Sequence, residues 1–350
     1  MKRDNNLDVL RCCLNYMVVL LHAYAAFQYV ARDTIEFYAW KIICSYVCWI
    51  AIPCFFLISG YLLFRNYSLS SLPQKLLRRL KRLLVPYVAW NFLFVCAYLT
   101  LGSVVPRLGK RVATFGLDTF SGAFSKIVSL TIPPIDGPLW FLRTLLMLSV
   151  LSPLIWFLLR FSKGVLAMIL CALCIFLEWR FGVAEDISLV FPAYSLVCFL
   201  MGGAVAVLGR DIFEVFKNAI WIVVGVMACS VGAILGILQF KDICLVHSIC
   251  AILEAPTMIS AFGYLHIDRI SSTRWLCFFK GMGFFAYAGH FLFCSIWLHS
   301  LAPLMGGYWH GKFTVLITIF VVLGMVSMIA VYYVGKKLVP RVIKVFDGTL

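Results

Sequence analysis

Charge is what this sequence has least of. Of its 350 residues only 13% are charged and only 15 are Asp or Glu, whereas 63% are hydrophobic and the mean hydropathy is +0.99. A soluble domain carries about 25% charged and about 45–50% apolar residues. So few charges cannot cover the surface of a 350-residue globule. A soluble enzyme, a disordered chain and a nucleic-acid-binding module are excluded, and a polytopic membrane protein remains. Long polar stretches are also scarce. The longest segment outside the apolar runs is residues 106–137, which leaves no room for an appended soluble domain. Internal repeats and low-complexity tracts are missing too. No cleavable signal peptide is expected, because Asp4, Asp8 and Arg11 interrupt the start and no small-residue cleavage site follows.

Cysteine, by contrast, is plentiful at 14 residues. Most of these, among them Cys12, Cys44, Cys54, Cys198 and Cys250, lie inside apolar runs, where free cysteine acts as a small hydrophobe. Cys171 and Cys174 form a CxxC without a second pair, so no zinc site and no other metal constellation is expected.

A spanning helix needs about 20 mainly apolar residues. About ten such runs are predicted, at residues 7–30, 40–64, 83–105, 138–159, 164–178, 191–209, 219–239, 243–265, 281–304 and 313–335. Ten spans put both termini on one side. With the N-terminus inside, 19 of the 30 Lys and Arg fall on cytoplasmic segments, about twice the number outside, so both termini are expected to be cytoplasmic. Most of the +15 net charge is thereby topological. One cytoplasmic loop stands apart, for Lys75–Arg82 packs five cations into eight residues.

Ionisable groups inside a span are costly, roughly 2.5–3.5 kcal/mol for a central Arg, and default to functional candidates. The first predicted helix holds Asp8, Arg11, Asn15 and His22, spaced three, four and seven apart and therefore on one face. From Arg11 to His22 the helix rises about 16 Å over nearly three turns. A polar stripe thus runs into the membrane and must face protein or water. His22 suits proton transfer near neutral pH, and Arg11 suits an anionic group. Taken alone, the stripe fits three readings: an Asp8–Arg11 pair with a hydrogen-bonded histidine, the relay of a proton-coupled transporter or flippase, and a general base acting on a hydroxyl.

Five segments stand in order along the chain. They are LDVLRCCLNYMVVLLHA at 7–23 with an R-x10-H of Arg11 and His22, FFLISGYLLF at 55–64, RRLKRLLVPY at 78–87 with an R-x-x-R of Arg79 and Arg82, PLWFLRTLL at 138–146, and FFAYAGHFL at 284–292. With them the chain resembles the acyltransferase 3 family, integral membrane proteins that transfer acyl groups, often acetyl, to extracytoplasmic carbohydrates. The resemblance spans almost the whole chain and implies one all-α membrane domain over residues 1–350. It implies His22 as catalytic base, Arg11 as its partner in donor handling, and Arg79 and Arg82 as contacts to the donor's phosphates. It further implies cytoplasmic acyl-CoA, acetyl-CoA first, as co-substrate rather than resident cofactor. The acceptor would be a hydroxyl of a carbohydrate or glycolipid, and the site of action a bacterial inner membrane. Independently, arginine's fork suits bidentate phosphate binding on the cytoplasmic side, while the same cations also suit anionic lipid.

Supporting positions complete the list. Ser59-Gly60 suits close helix approach. A serine nucleophile is not expected, as no GxSxG elbow occurs. Trp140 and Arg143 open the fourth span from outside and suit either an acceptor site or, for Trp140, an interfacial belt. Glu254, alone in its apolar helix, is a candidate to orient His22 or to pair with Arg11 or Arg143. His290 matches a family position. His247, His266, His299 and His310 lie near span ends.

Overall fold

In the computed structural model the described residues are 5–27, 35–68, 72–103, 106–128, 130, 132–161, 164–181, 192–238, 243–265, 273–301 and 312–349. Among them the regular structure is entirely helical. Seven helical segments are long and apolar enough to cross a membrane: Asn6–Tyr24, Ile35–Phe64, Pro73–Leu101, Ala219–Ile237, Leu245–Tyr264, Leu276–Leu298 and Phe313–Leu338. Gly137–Val150 with Ser152–Phe161 makes an eighth if the pair is one span, bent by 59°. The bend lies two residues before Pro153, whose ring excludes the carbonyl one turn back. Val165–Leu177 and Ala193–Val207 are shorter apolar helices. Each of the ten predicted runs therefore overlies a helix, and seven or eight have spanning length among the described residues.

These helices leave large apolar side chains exposed along one side. Val223, Val226, Met227 and Ile234 do so on the helix Ala219–Ile237, as do Val322 and Val326 on Phe313–Leu338. A soluble protein hides such surface, whereas hydrocarbon accepts it.

The chain divides into two compact units. The first comprises Met1–Met17, Ser45–Leu80 and Thr144–Lys280. Its tightest packing is between the helices Ala51–Phe64 and Ala193–Val207, which meet through glycine. A Cβ on Gly60 would lie 2.0 Å from the Phe199 carbonyl oxygen, and one on Gly202 would lie 1.8 Å from that of Leu57. Only glycine permits backbones to come so close, and dispersion over that contact replaces the hydrophobic drive that lipid does not provide. Asn218 caps the helix Ala219–Ile237 through the amide of Ile220, while its carbonyl accepts from Ser260 at 2.8 Å.

The second unit comprises Val18–Cys44, Lys81–Arg143 and Gly281–Leu350. One core cluster gathers Ala23, Tyr24, Cys44, Phe313, Leu316, Ile317 and Phe320. Another gathers Phe94, Val95, Tyr98, Leu117, Ile135 and Leu292. Trp90, fully buried, packs its ring 5.0 Å from that of Phe285 and donates from Nε1 to the Phe346 carbonyl at 3.0 Å. That bond ties the short C-terminal helix Pro340–Asp347 to its unit.

Candidate active site

The first helix, α1 (Asn5–Phe27), shows why the polar stripe persists. Leu7, Leu10, Leu14, Val18 and Leu21 follow a three-and-four spacing and are buried. Asp8, Asn15 and His22, on the strip that adjoins it, are half-buried, and Arg11 is exposed. Apolar anchoring of one face leaves the polar face accessible.

In the first unit Arg79 is half-buried on the helix Leu72–Leu101 and donates from Nε to the Ser149 hydroxyl at 2.9 Å. Ser149 in turn donates to the Leu145 carbonyl at 2.6 Å. This chain orients the guanidinium. Arg11 lies within electrostatic range of Arg79, so two cations meet in one unit. Like charges repel, and an anion between them would relieve the repulsion. Lys75 bonds the Asn66 carbonyl and sits over the Tyr67 ring, and Arg78 donates to the carbonyl of Gln74. Arg79 is thus the member of the basic cluster that an inter-helical side-chain bond holds in place. Burial raises the Tyr67 phenol above its ordinary pKa. Ser59 is half-buried beside the glycine contact at Gly60. Glu254 is buried and hydrogen-bonded with the Cys229 thiol.

In the second unit Arg82 is exposed. His22 and His290 bring their rings to 5.1 Å, and Phe291 flanks His22 edge-on at 6.2 Å. His290 is fully buried, and its Nδ1 donates to the carbonyl of Tyr287 at 2.6 Å. A carbonyl only accepts, so the proton of the neutral ring sits on Nδ1 and Nε2 is left as an acceptor. That Nε2 has no hydrogen-bond partner among the described residues. Tyr287 also donates from its phenol to the Pro138 carbonyl at 2.5 Å, which pins the segment preceding Trp140 to the histidine pair. Trp140 itself is half-buried, its ring edge-on to Phe141.

Two residues before Pro138 stands Asp136, which sequence reasoning missed. It is fully buried, and both carboxylate oxygens lack a hydrogen-bond partner among the described residues. Its backbone amide donates to Asn91 Oδ1 at 3.2 Å, and Asn91 Nδ2 donates to the Tyr87 carbonyl at 2.9 Å. The carboxyl lies within electrostatic range of the Tyr87 and Tyr287 phenols. Burial pushes it well above the ordinary carboxylate value of 3.8. Arg143, also fully buried, donates from Nη1 to the Ile132 carbonyl at 2.7 Å and braces the same turn. The signal that marks Asp136 in the sequence is its place directly ahead of the 138–146 segment, an acid amid PPIDGP. Among the described residues no group of three or more His, Cys, Asp or Glu has the arrangement of a metal site.

A family model described as an acyltransferase domain, that of acyltransferase 3, matches residues 4–336. The chain belongs to that family. No curated protein and no solved structure matches it. As an acyltransferase 3 protein it is a multi-pass membrane acyltransferase. The match takes in all five signature segments and also Asp136. Residues 1–3 and the end of the chain, with the helix Pro340–Asp347, lie beyond it.

Proposed function

We propose that this acyltransferase moves an acetyl group from cytoplasmic acetyl-CoA to a hydroxyl of an extracytoplasmic or lipid-linked carbohydrate in the bacterial inner membrane. His22 takes the hydroxyl proton as the oxygen attacks the thioester carbonyl. The carbon–sulfur bond then breaks, and the coenzyme leaves as a thiolate that accepts the proton from the His22 imidazolium. The products are an ester and a free thiol. Arg79 holds the donor's phosphates, assisted by Arg11 and by the exposed Arg82. His290, fixed by the Tyr287 carbonyl, positions His22 and its neighbour groups. Holding the bulky nucleotide fixes where the thioester lies, which converts an encounter into an oriented reaction.

The observation that carries the reading is the His22–His290 pair, rings 5.1 Å apart with the second imidazole oriented by a backbone carbonyl. The convergence of Arg11 on a bonded Arg79 supports the donor half of the reading.

The test uses membranes carrying the full chain and labelled acetyl-CoA. Wild type is expected to retain the donor and to label membrane carbohydrate. His22→Ala is expected to retain the donor within about twofold and to lose transfer by at least about 100-fold, the scale of a lost general base. Undiminished labelling in that variant would remove His22 from the chemistry. Mass spectrometry of surface glycans separates a transferase from a transporter: deletion should remove one acetyl group, not the whole glycan.

A further inference from the structure

Asp136 stands out among the polar groups of the second unit. Unsatisfied buried carboxyls are costly, so a folded chain that keeps one has a use for it. Three backbone groups of its turn are already occupied. Its own amide is bonded to Asn91, the Pro138 carbonyl to Tyr287, and the Ile132 carbonyl to Arg143. The turn is therefore held from three sides while the carboxyl at its centre is left without a partner among the described residues. The same scaffold carries the reacting histidine. Pro138 is bonded to the Tyr287 phenol, the Tyr287 carbonyl to His290, and the His290 ring lies against His22. The free acceptor on His290, its Nε2, belongs to the same connected set.

We infer that Asp136 is a hydrogen-bonding subsite for the acceptor, taking a hydroxyl of a polyhydroxylated substrate next to the hydroxyl that is acylated. The inference rests on the acyl-transfer reading above and adds a residue that binds the acceptor. A carboxyl offers both an O–H and a carbonyl oxygen, so it pairs with a hydroxyl as donor and acceptor at once. Such a site selects vicinal diols, as in sugars, over simple alcohols, because a substrate lacking the second hydroxyl leaves the carboxyl unpaired. Asp136 touches the substrate and takes no part in the proton transfer, which remains with His22.

The experiment uses the full-length chain in membranes, with labelled acetyl-CoA and the carbohydrate of those membranes as acceptor at varied concentration. Asp136→Leu replaces the carboxyl by an apolar group of similar size. It is expected to melt no lower than wild type and to retain acetyl-CoA within twofold. Its KM for the acceptor is expected to rise at least tenfold, with kcat changed less than threefold. Asp136→Asn keeps a donor and an acceptor atom and is expected to restore the KM to within threefold of wild type. An unchanged KM in Asp136→Leu overturns the inference. So does a fall in kcat with KM intact, or a loss of donor retention, for these mark a structural role. A wild type that neither retains acetyl-CoA nor labels carbohydrate defeats the acyl-transfer reading itself, and the subsite with it.

Discussion

At the scale of single residues, the second unit concentrates groups whose partners are backbone carbonyls. His290 bonds Tyr287, Tyr287 bonds Pro138 and Arg143 bonds Ile132, so the chain path orients each of these side chains. Asp136 is the exception, and its isolation has a pH consequence. Burial holds its proton to a higher pH than the unfolded chain does, with Tyr87, Tyr287 and Arg143 the polar groups around it. Folding stability from this group is then flat below about pH 4 and falls as pH rises from there toward the folded value. Asp136→Asn lacks that loss. Its melting temperature relative to wild type, followed in detergent from pH 4 to pH 8, is expected to climb with pH. A constant difference would mean that the carboxyl is not held protonated. His22 was legible in the sequence because a histidine eleven residues from an arginine on an apolar helix is rare and costly. Asp136 was not. Its PPIDGP setting reads as an ordinary turn, and its amide is bonded to Asn91, 45 positions away.

Among the elements, apolar periodicity alone anticipated the helices well. The buried run Leu7, Leu10, Leu14, Val18 and Leu21 and the polar run beside it are both plain in α1. Breaks were less plain. The run 40–64 reads as one uninterrupted span, yet the segment Ile35–Phe64 passes through a π turn at Ile43–Val47 and a tighter turn at Cys48–Ile50 ahead of Pro53. Which glycines carry a helix contact was half legible: Gly60 drew notice beside Ser59, but its counterpart Gly202 did not. A glycine looks the same in sequence whether it faces lipid or another backbone. Gly202→Leu is expected to force the helices Ala51–Phe64 and Ala193–Val207 apart, since its Cβ would lie 1.8 Å from a carbonyl oxygen that cannot yield. The cost should reach or exceed the roughly 1–3 kcal/mol of overpacked cores, and little monodisperse protein should survive detergent extraction. Gly281→Ala, where the nearest atom lies at 3.7 Å, should extract as wild type does. Equal yields from the two would show that the close approach is dispensable.

For the whole molecule, the distribution of cations predicts the orientation, and reporter fusions check it. Green fluorescent protein joined after Leu350 should fluoresce, and alkaline phosphatase joined at Asp118 should be active. The opposite pair of results would reverse the donor side and detach Arg79 from cytoplasmic acetyl-CoA. Composition by itself determined that the chain lives in a membrane, because 13% charged residues cannot solvate a globule of this length. Local order by itself determined the helices, the polar face of α1 and the family's signature segments, for these are set by neighbours within a few turns. Only the tertiary structure decided which groups come near one another: Arg11 within electrostatic range of Arg79, His22 against His290, and Asp136, its carboxyl without a hydrogen-bond partner among the described residues, on a turn held by Asn91, Tyr287 and Arg143. The reason is physical. Hydropathy reports the solvent a residue prefers, whereas a site depends on hydrogen bonds between segments far apart in the chain, and those exist only once the helices have packed.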